Sequence, residues 1–358
     1  MMEVRLRTLT PLWTGGVDGT MDRIHETGIL GSLRWWYEVL VRGLGGSACD
    51  PTEHGCELSG ERLKRYEKAR KEGKPWWEAL DAVGVCDACK VFGTTGWRRR
   101  FRLEVEDETR PIWEPAELML NVRPPGRNRG WFLPPGRMGT VTLKLNGDAE
   151  VLSRLATLLL LLEKWGSLGT KSQLGYGVFQ IENREEVKAR GDGWKWETMG
   201  NGKPNGNLPE LRQLGFFRFR FSVSHSAWWT KVGGLSRVAS EVQPVVREYA
   251  TVPVAPVLKN EWRFSRWKGR RNREKEIFGA LRPERKRSRV AVSWAYRTAE
   301  SVWEVRGWVW LASQEWADPL WNILSEAATW EAVLRVQGTL ESRRLTTEEA
   351  VRNLLEEI

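Results

Sequence analysis

Histidine is the scarcest chemically versatile side chain in this 358-residue sequence: His25, His54 and His225 are the only three. No Ser–His–Asp set, HExxH pair or paired-carboxylate signature is recognisable. Cysteine is nearly as rare. Cys49, Cys56, Cys86 and Cys89 share one short stretch, and the rest of the chain has none. That excludes a disulfide framework spread over the fold. Long apolar runs are missing too; the longest surrounds Leu158 to Leu162, far short of a membrane span. Met1 to Leu12 alternates charged and apolar residues without an apolar signal core, so a cytoplasmic location is expected, with no membrane partner. Negative charge is in the minority: 46 Asp and Glu against 56 Lys and Arg, a net +10. The excess favours a polyanionic partner, nucleic acid first.

What is abundant is tryptophan, 22 residues against 10 Phe. Indoles stack on bases, but most of so many must be core. Apolar residues at Ile29, Leu33, Trp36, Tyr37, Leu40 and Leu44 recur at helical spacing and predict a helix over 28–44. Helices are also expected at 61–72, 150–165, 316–327 and 346–356. Strands are expected at 3–8, 101–106, 118–122, 140–145, 178–182, 216–224, 289–293, 304–311 and 329–336. Residues 191–210, rich in Gly, Asn and Pro, read as a linker between a unit at 1–190 and a second at 211–358. Neither half alternates β and α regularly, which argues an α+β fold.

The most distinctive segment is GSLGTKSQLGYG at 166–177. Gly169 and Gly175 would let a phosphate approach the backbone, Lys171 would add charge, and Tyr176 could stack on a base or ribose. It is not a P-loop, because Thr170 precedes Lys171 and the order is helix, loop, strand. A tight helix-to-strand connection explains the same glycines equally well.

Helix, glycine-rich loop and strand in that order resemble the signature of the RAMP superfamily, the RNA-binding subunits of CRISPR effectors. TPLWTGG at 10–16, ETGILGSLRWWYEVLVRGLGG at 26–46 and CDACKVFGTTGWRRRFRL at 86–103 resemble, more narrowly, the first-subunit family of the Cmr complex, the type III-B RNA-targeting effector. The likeness is dense over residues 3–182 and looser beyond the linker, where SRVAVS at 288–293 fits. It implies two ferredoxin-like (RRM-like) domains with insertions, and guide RNA and single-stranded target RNA as ligands. It also implies no nuclease centre and no cofactor required for catalysis. The expected place is near the guide's 3′ region, beside the sixth subunit and the repeated backbone subunit.

Candidate RNA contacts follow from charge beside aromatics. They are Arg23 before the first helix, Arg34 and Trp35 on it, and Trp97 with Arg98, Arg99 and Arg100. Arg127 and Arg129 lie in a Pro/Gly-rich basic loop expected to project as an arm. Arg270 and Arg271 belong to the run 263–289, which holds twelve Lys and Arg against three Glu. That run could equally be a solvated, disordered block. Trp36 is assigned to the core. The cysteines run C-x6-C-x29-C-x2-C, a candidate structural zinc site, with His54 able to replace Cys49. Two rival functions stay open: a metal-independent, guide-processing endoribonuclease using His25, and a protein-bridging scaffold.

Overall fold

The computed structural model describes residues 1–16, 19–50, 53, 55–113, 119–128, 130–192 and 208–358. Most of the expected linker therefore lies outside the described residues. The first unit is built on β1 (Met2–Thr8), α1 (Glu26–Gly43), β2 (Phe101–Asp107), β3 (Thr140–Gly147), α2 (Ala149–Trp165) and β4 (Phe179–Ile181). The sheet order β2-β3-β1-β4 is antiparallel throughout, with Leu6 opposite Val141 and Leu6 also opposite Ile181. This is the ferredoxin-like βαββαβ arrangement. α1 forms where the sequence places its apolar stripe, and Ile29, Leu33, Trp36, Tyr37 and Leu40 are all buried. Glu26 in its first turn and Arg42 in its last complement the helix dipole.

The second unit repeats the topology with β5 (Leu214–Ser222), β6 (Ala295–Arg297), β7 (Val302–Trp310) and β8 (Gly338–Arg344), ordered β6-β7-β5-β8. Alternation along β5 divides its side chains between two cores. Phe217, Phe219 and Phe221 join the second unit's own core, whereas Phe216 joins the first unit's. The second sheet thus turns one face to its own helices and the other to α1 and α2. Across that second contact the Trp165 and Phe216 rings lie 5.7 Å apart. Trp308 meets Trp35 and Trp36, each with ring centres at 5.5 Å. Arg306 and Arg218 donate to the carbonyls of Leu162, Glu163 and Lys164 in the last turn of α2, where carbonyls lack partners further along the helix.

The units also exchange segments. The helix Glu348–Glu356, at the far end of the second unit, buries Val351, Leu354 and Leu355 in the first core. Conversely, Ile112, Trp113, Leu120, Val122 and Leu133, from between β2 and β3, lie in the second core.

Two expectations are corrected. Residues 329–336 are not a strand: Ala327–Leu334 is a helix, with Trp330 and Leu334 buried at i, i+4 spacing, and the strand follows at Gly338. The basic run 263–289 is not a disordered block. It contains the helix Arg271–Phe278, anchored by buried Ile277 and Phe278.

Candidate nucleic-acid interface

The glycine-rich loop leaves α2 at Gly166 and is tied down at once. The Trp36 indole donates to Ser167 O at 2.9 Å, Leu168 N donates to Gly177 O at 2.8 Å, and Thr170 N donates to Trp13 O at 2.9 Å. A single 3-10 turn, Ser172–Leu174, then leads into β4. Gly169 has φ +74°, and a Cβ there would lie 2.6 Å from Trp13 O. Gly175 has φ +94°, and a Cβ there would lie 2.5 Å from the Trp294 ring. Both glycines admit a close approach by protein, where the sequence suggested phosphate. Tyr176 is likewise corrected. It is buried, its hydroxyl donates to Pro134 O, and its ring packs 5.5 Å from Trp294. No face is left for a base, and burial pushes its hydroxyl pKa far up.

Lys171 is the loop's outward chemistry. Its ammonium sits 4.0 Å from the Trp13 ring centre, a cation–π contact at a half-buried position. Burial, and then the like charge of Arg285, lower its pKa. Arg285 belongs to the second unit, so the fold brings the loop's one cation within reach of a basic segment far away in sequence.

Arg285 lies in an exposed stretch, 281–287. With Lys268, Arg270, Arg271, Arg282 and Arg287 it makes six exposed cations that form no ion pair among the described residues. Their neighbours are paired: Arg263 with Glu274 at 2.7 Å, Arg273 with Glu276 at 2.8 Å, Arg289 with Glu276 at 3.1 Å. A groove of about 430 Å³ runs beside Lys268 and Arg270, with Trp267, Trp316, Pro319 and Ile323 along it. Its border is mostly cationic, with the one carboxylate, Glu315, paired to Arg273 at 2.7 Å, and apolar ground beside cations suits bases and phosphates together.

The other candidates divide. Arg34 is engaged within the protein, donating to Glu38 at 2.9 Å, Gly93 O at 3.2 Å and the Cys89 sulfur at 3.2 Å. Glu38 is buried between Arg34 and Arg42, and desolvation pushes its carboxyl pKa up against their pull. Trp35 packs on Trp36 and Trp308. Trp97 stacks on Trp76, meets Tyr66 edge-on and donates to Lys90 O at 3.0 Å, so it is packed too. Arg99 donates to Phe101 O, and Arg100 pairs with Asp148 over the Trp76 ring. Arg98 is exposed. Arg23 is exposed, 3.5 Å from Glu26.

The basic loop does not project as an arm, because its stem is apolar and buried in the second core. Arg127 is exposed at its tip, 3.8 Å from the Phe264 ring centre. Arg129 lies outside the described residues. Phe264, Trp77 and Phe132 are exposed aromatics that a charge-based reading does not single out as sites. Isolated exposure has no signal in sequence.

Four thiols converge beside α1. The sulfurs of Cys49, Cys56, Cys86 and Cys89 all lie within 4.8 Å of one another, and all four cysteines are free. His54 lies outside the described residues. His25 caps α1 from its backbone and holds Asp22 at 2.7 Å through Nε2.

Comparison with known proteins gives a family match over the first unit: the model described as RAMP superfamily matches residues 5–180. Among solved structures, Cmr1 from Pyrococcus furiosus is similar at 15% identity and TM-score 0.44, covering 88% of this chain and 89% of that one. A chain of the type III-B Cmr-beta assembly bound to cognate target RNA is similar at 11% identity and TM-score 0.35, covering 99% and 98%. Cmr6 from Pyrococcus furiosus is similar at 18% identity and TM-score 0.25, covering 50% of this chain and 97% of that one. No curated protein matches the sequence.

Proposed function

From a chain whose residues 5–180 match the family model described as RAMP superfamily, we propose a non-catalytic, RNA-binding subunit of a type III-B (Cmr) CRISPR ribonucleoprotein. Its ligands are guide RNA and single-stranded target RNA, and its partners are other Cmr subunits. The observation that carries the reading is that Lys171, on the glycine-rich loop, feels the charge of Arg285, which lies in the exposed basic stretch 281–287. Like charges held together at a protein surface repel one another. A polyanion threading between them relieves that repulsion and releases counterions. The place near the guide's 3′ region, beside the sixth and the repeated backbone subunits, rests on the motifs at 10–16, 26–46 and 86–103.

The test is RNA affinity measured across a salt series. Replacing Arg282, Arg285 and Arg287 together by Ala should weaken binding to any RNA sequence. It should also flatten the salt dependence by about 0.7 per lost phosphate contact on a single strand. Unchanged affinity in a folded variant would favour the scaffold reading. Site-specific cleavage of repeat-containing RNA in EDTA, lost on His25→Ala, would favour the endoribonuclease.

A further inference from the structure

We propose that Cys49, Cys56, Cys86 and Cys89 bind one zinc ion as a closed structural site. Four sulfurs gather from three separate stretches of chain, with Cys49 Sγ and Cys89 Sγ 3.5 Å apart and every pair within 4.8 Å. A tetrahedral tetrathiolate with Zn–S bonds of about 2.3 Å requires S···S separations of about 3.8 Å, so the cluster is sized for one metal ion. An iron–sulfur cluster would need a wider cage, because its inorganic core lies between the ligand sulfurs. Soft thiolates in this geometry favour zinc over the hard divalent ions magnesium, calcium and manganese. With four cysteines in place no position is left open for a substrate, which marks the site as structural.

The surroundings are built for thiolate charge. Cys86 N–H donates to Cys56 Sγ at 3.3 Å, Cys49 N–H donates to Cys86 Sγ at 3.4 Å, and the Arg34 guanidinium donates to Cys89 Sγ at 3.2 Å. Arg42, two turns along α1 from Arg34, fixes the backbone of the first ligand by donating to Ala48 O and Cys49 O. Such outer contacts orient ligands and disperse their charge. Binding replaces each S–H proton by a Zn–S bond and releases the proton to solvent.

A staple here has a clear purpose. The excursion between α1 and β2 carries the helix Gly60–Lys71, which buries only Ala69. That helix gains little from burial, while Leu58, Leu80, Val83, Val85 and Val91 around it join the first core. Zinc would lock the exit of α1, the Cys56 segment and the Cys86–Cys89 turn into one body. The Trp97–Arg98 turn follows directly, with Thr94 bonded to Cys56 O and Leu58 N to Thr95 O.

The experiment uses the full chain, purified without added metal. Elemental analysis should find one zinc per chain and no stoichiometric iron. X-ray absorption should find a shell of four sulfurs at about 2.3 Å. Cobalt exchanged into the site should give the visible bands of a tetrahedral tetrathiolate. Cys89→Ser should lower zinc retention strongly. Arg34→Gln, which keeps the ligands, should lower zinc affinity about tenfold. Metal content and spectra of the unaltered chain decide the question even where a cysteine variant fails to fold. Trace zinc after growth in zinc-supplied medium, with four thiols freely reactive in the native protein, would overturn the site. Stoichiometric iron, or a cobalt spectrum of mixed nitrogen and oxygen ligation, would overturn the assignment.

Discussion

At the scale of single residues, Lys171 separates binding from folding. It holds φ +62°, a left-handed conformation, and its ammonium lies over Trp13. A side chain in that region costs roughly 1–2 kcal/mol that glycine avoids. Lys171→Ala and Lys171→Gly should therefore lose the same phosphate contact, each reducing the salt slope by about 0.7. The glycine variant should be the more stable of the two, by about 1 kcal/mol in denaturant unfolding. A salt slope unchanged in both would assign Lys171 to the Trp13 contact alone. Gly175→Val should act on stability instead. Its Cβ would lie 2.5 Å from the Trp294 ring and 2.9 Å from Ala255 Cβ, at φ +94°. A loss of about 3 kcal/mol or more is expected, with RNA affinity per folded molecule little changed. The reverse pattern would return Gly175 to the RNA. The sequence holds the glycine spacing and a central lysine. It does not hold the partner of the close approach, since Trp294 is distant in the chain and reaches the loop only through packing of the second unit.

At the scale of elements, the turn after Trp97 should divide its three arginines. Arg99 and Arg100 are committed to Phe101 O, Asp148 and the Trp76 ring, while Arg98 is exposed. Arg98→Ala should weaken RNA binding at constant melting temperature. Arg100→Ala should lower stability by less than about 1 kcal/mol, given its partly exposed pair, and leave the salt slope alone. Equal effects of both on affinity would count against this division. Elements with strong periodicity are legible in the sequence. The stripe of α1, the leucines of α2 and the alternation of β1, β3 and β7 each fix a face by their own spacing. Legibility ends where one pattern satisfies two periods. Thr329 to Val336 is rich in β-branched and aromatic residues, yet Trp330 and Leu334 meet the core only on a helix. The basic loop misleads for a related reason. Its Pro, Gly and Arg residues suggest exposure, but Trp113, Leu120, Val122 and Leu133 bury its stem in a core formed mostly by residues about 100 positions later.

For the molecule as a whole, basic charge has two destinations, and Lys259 marks the line between them. Much of the excess is exposed over residues 268–287, but Arg218, Arg306 and Lys259 are buried where the units meet. The Lys259 ammonium reaches Gln173 O in the first unit at 3.0 Å and Ser288 Oγ and Val290 O in the second at 3.0 and 3.1 Å. Burial, and then the charge of Arg263, lower its pKa from 10.5 to about 7. Between those two values the unfolded chain holds a proton that the folded chain has released, so stability should rise with pH across that window. Below it both states are protonated, and the cost of burying the charge acts in full. Opposing this, two carbonyls and a hydroxyl oxygen offer acceptors for all three donors of an ammonium. Lys259→Met keeps the length of the side chain and removes the proton. Denaturant unfolding of both chains across the window should show a stability difference that grows with pH in favour of the lysine protein. Parallel curves would show that the three acceptors hold the charge, and that the contact between units is an ion buried at constant protonation.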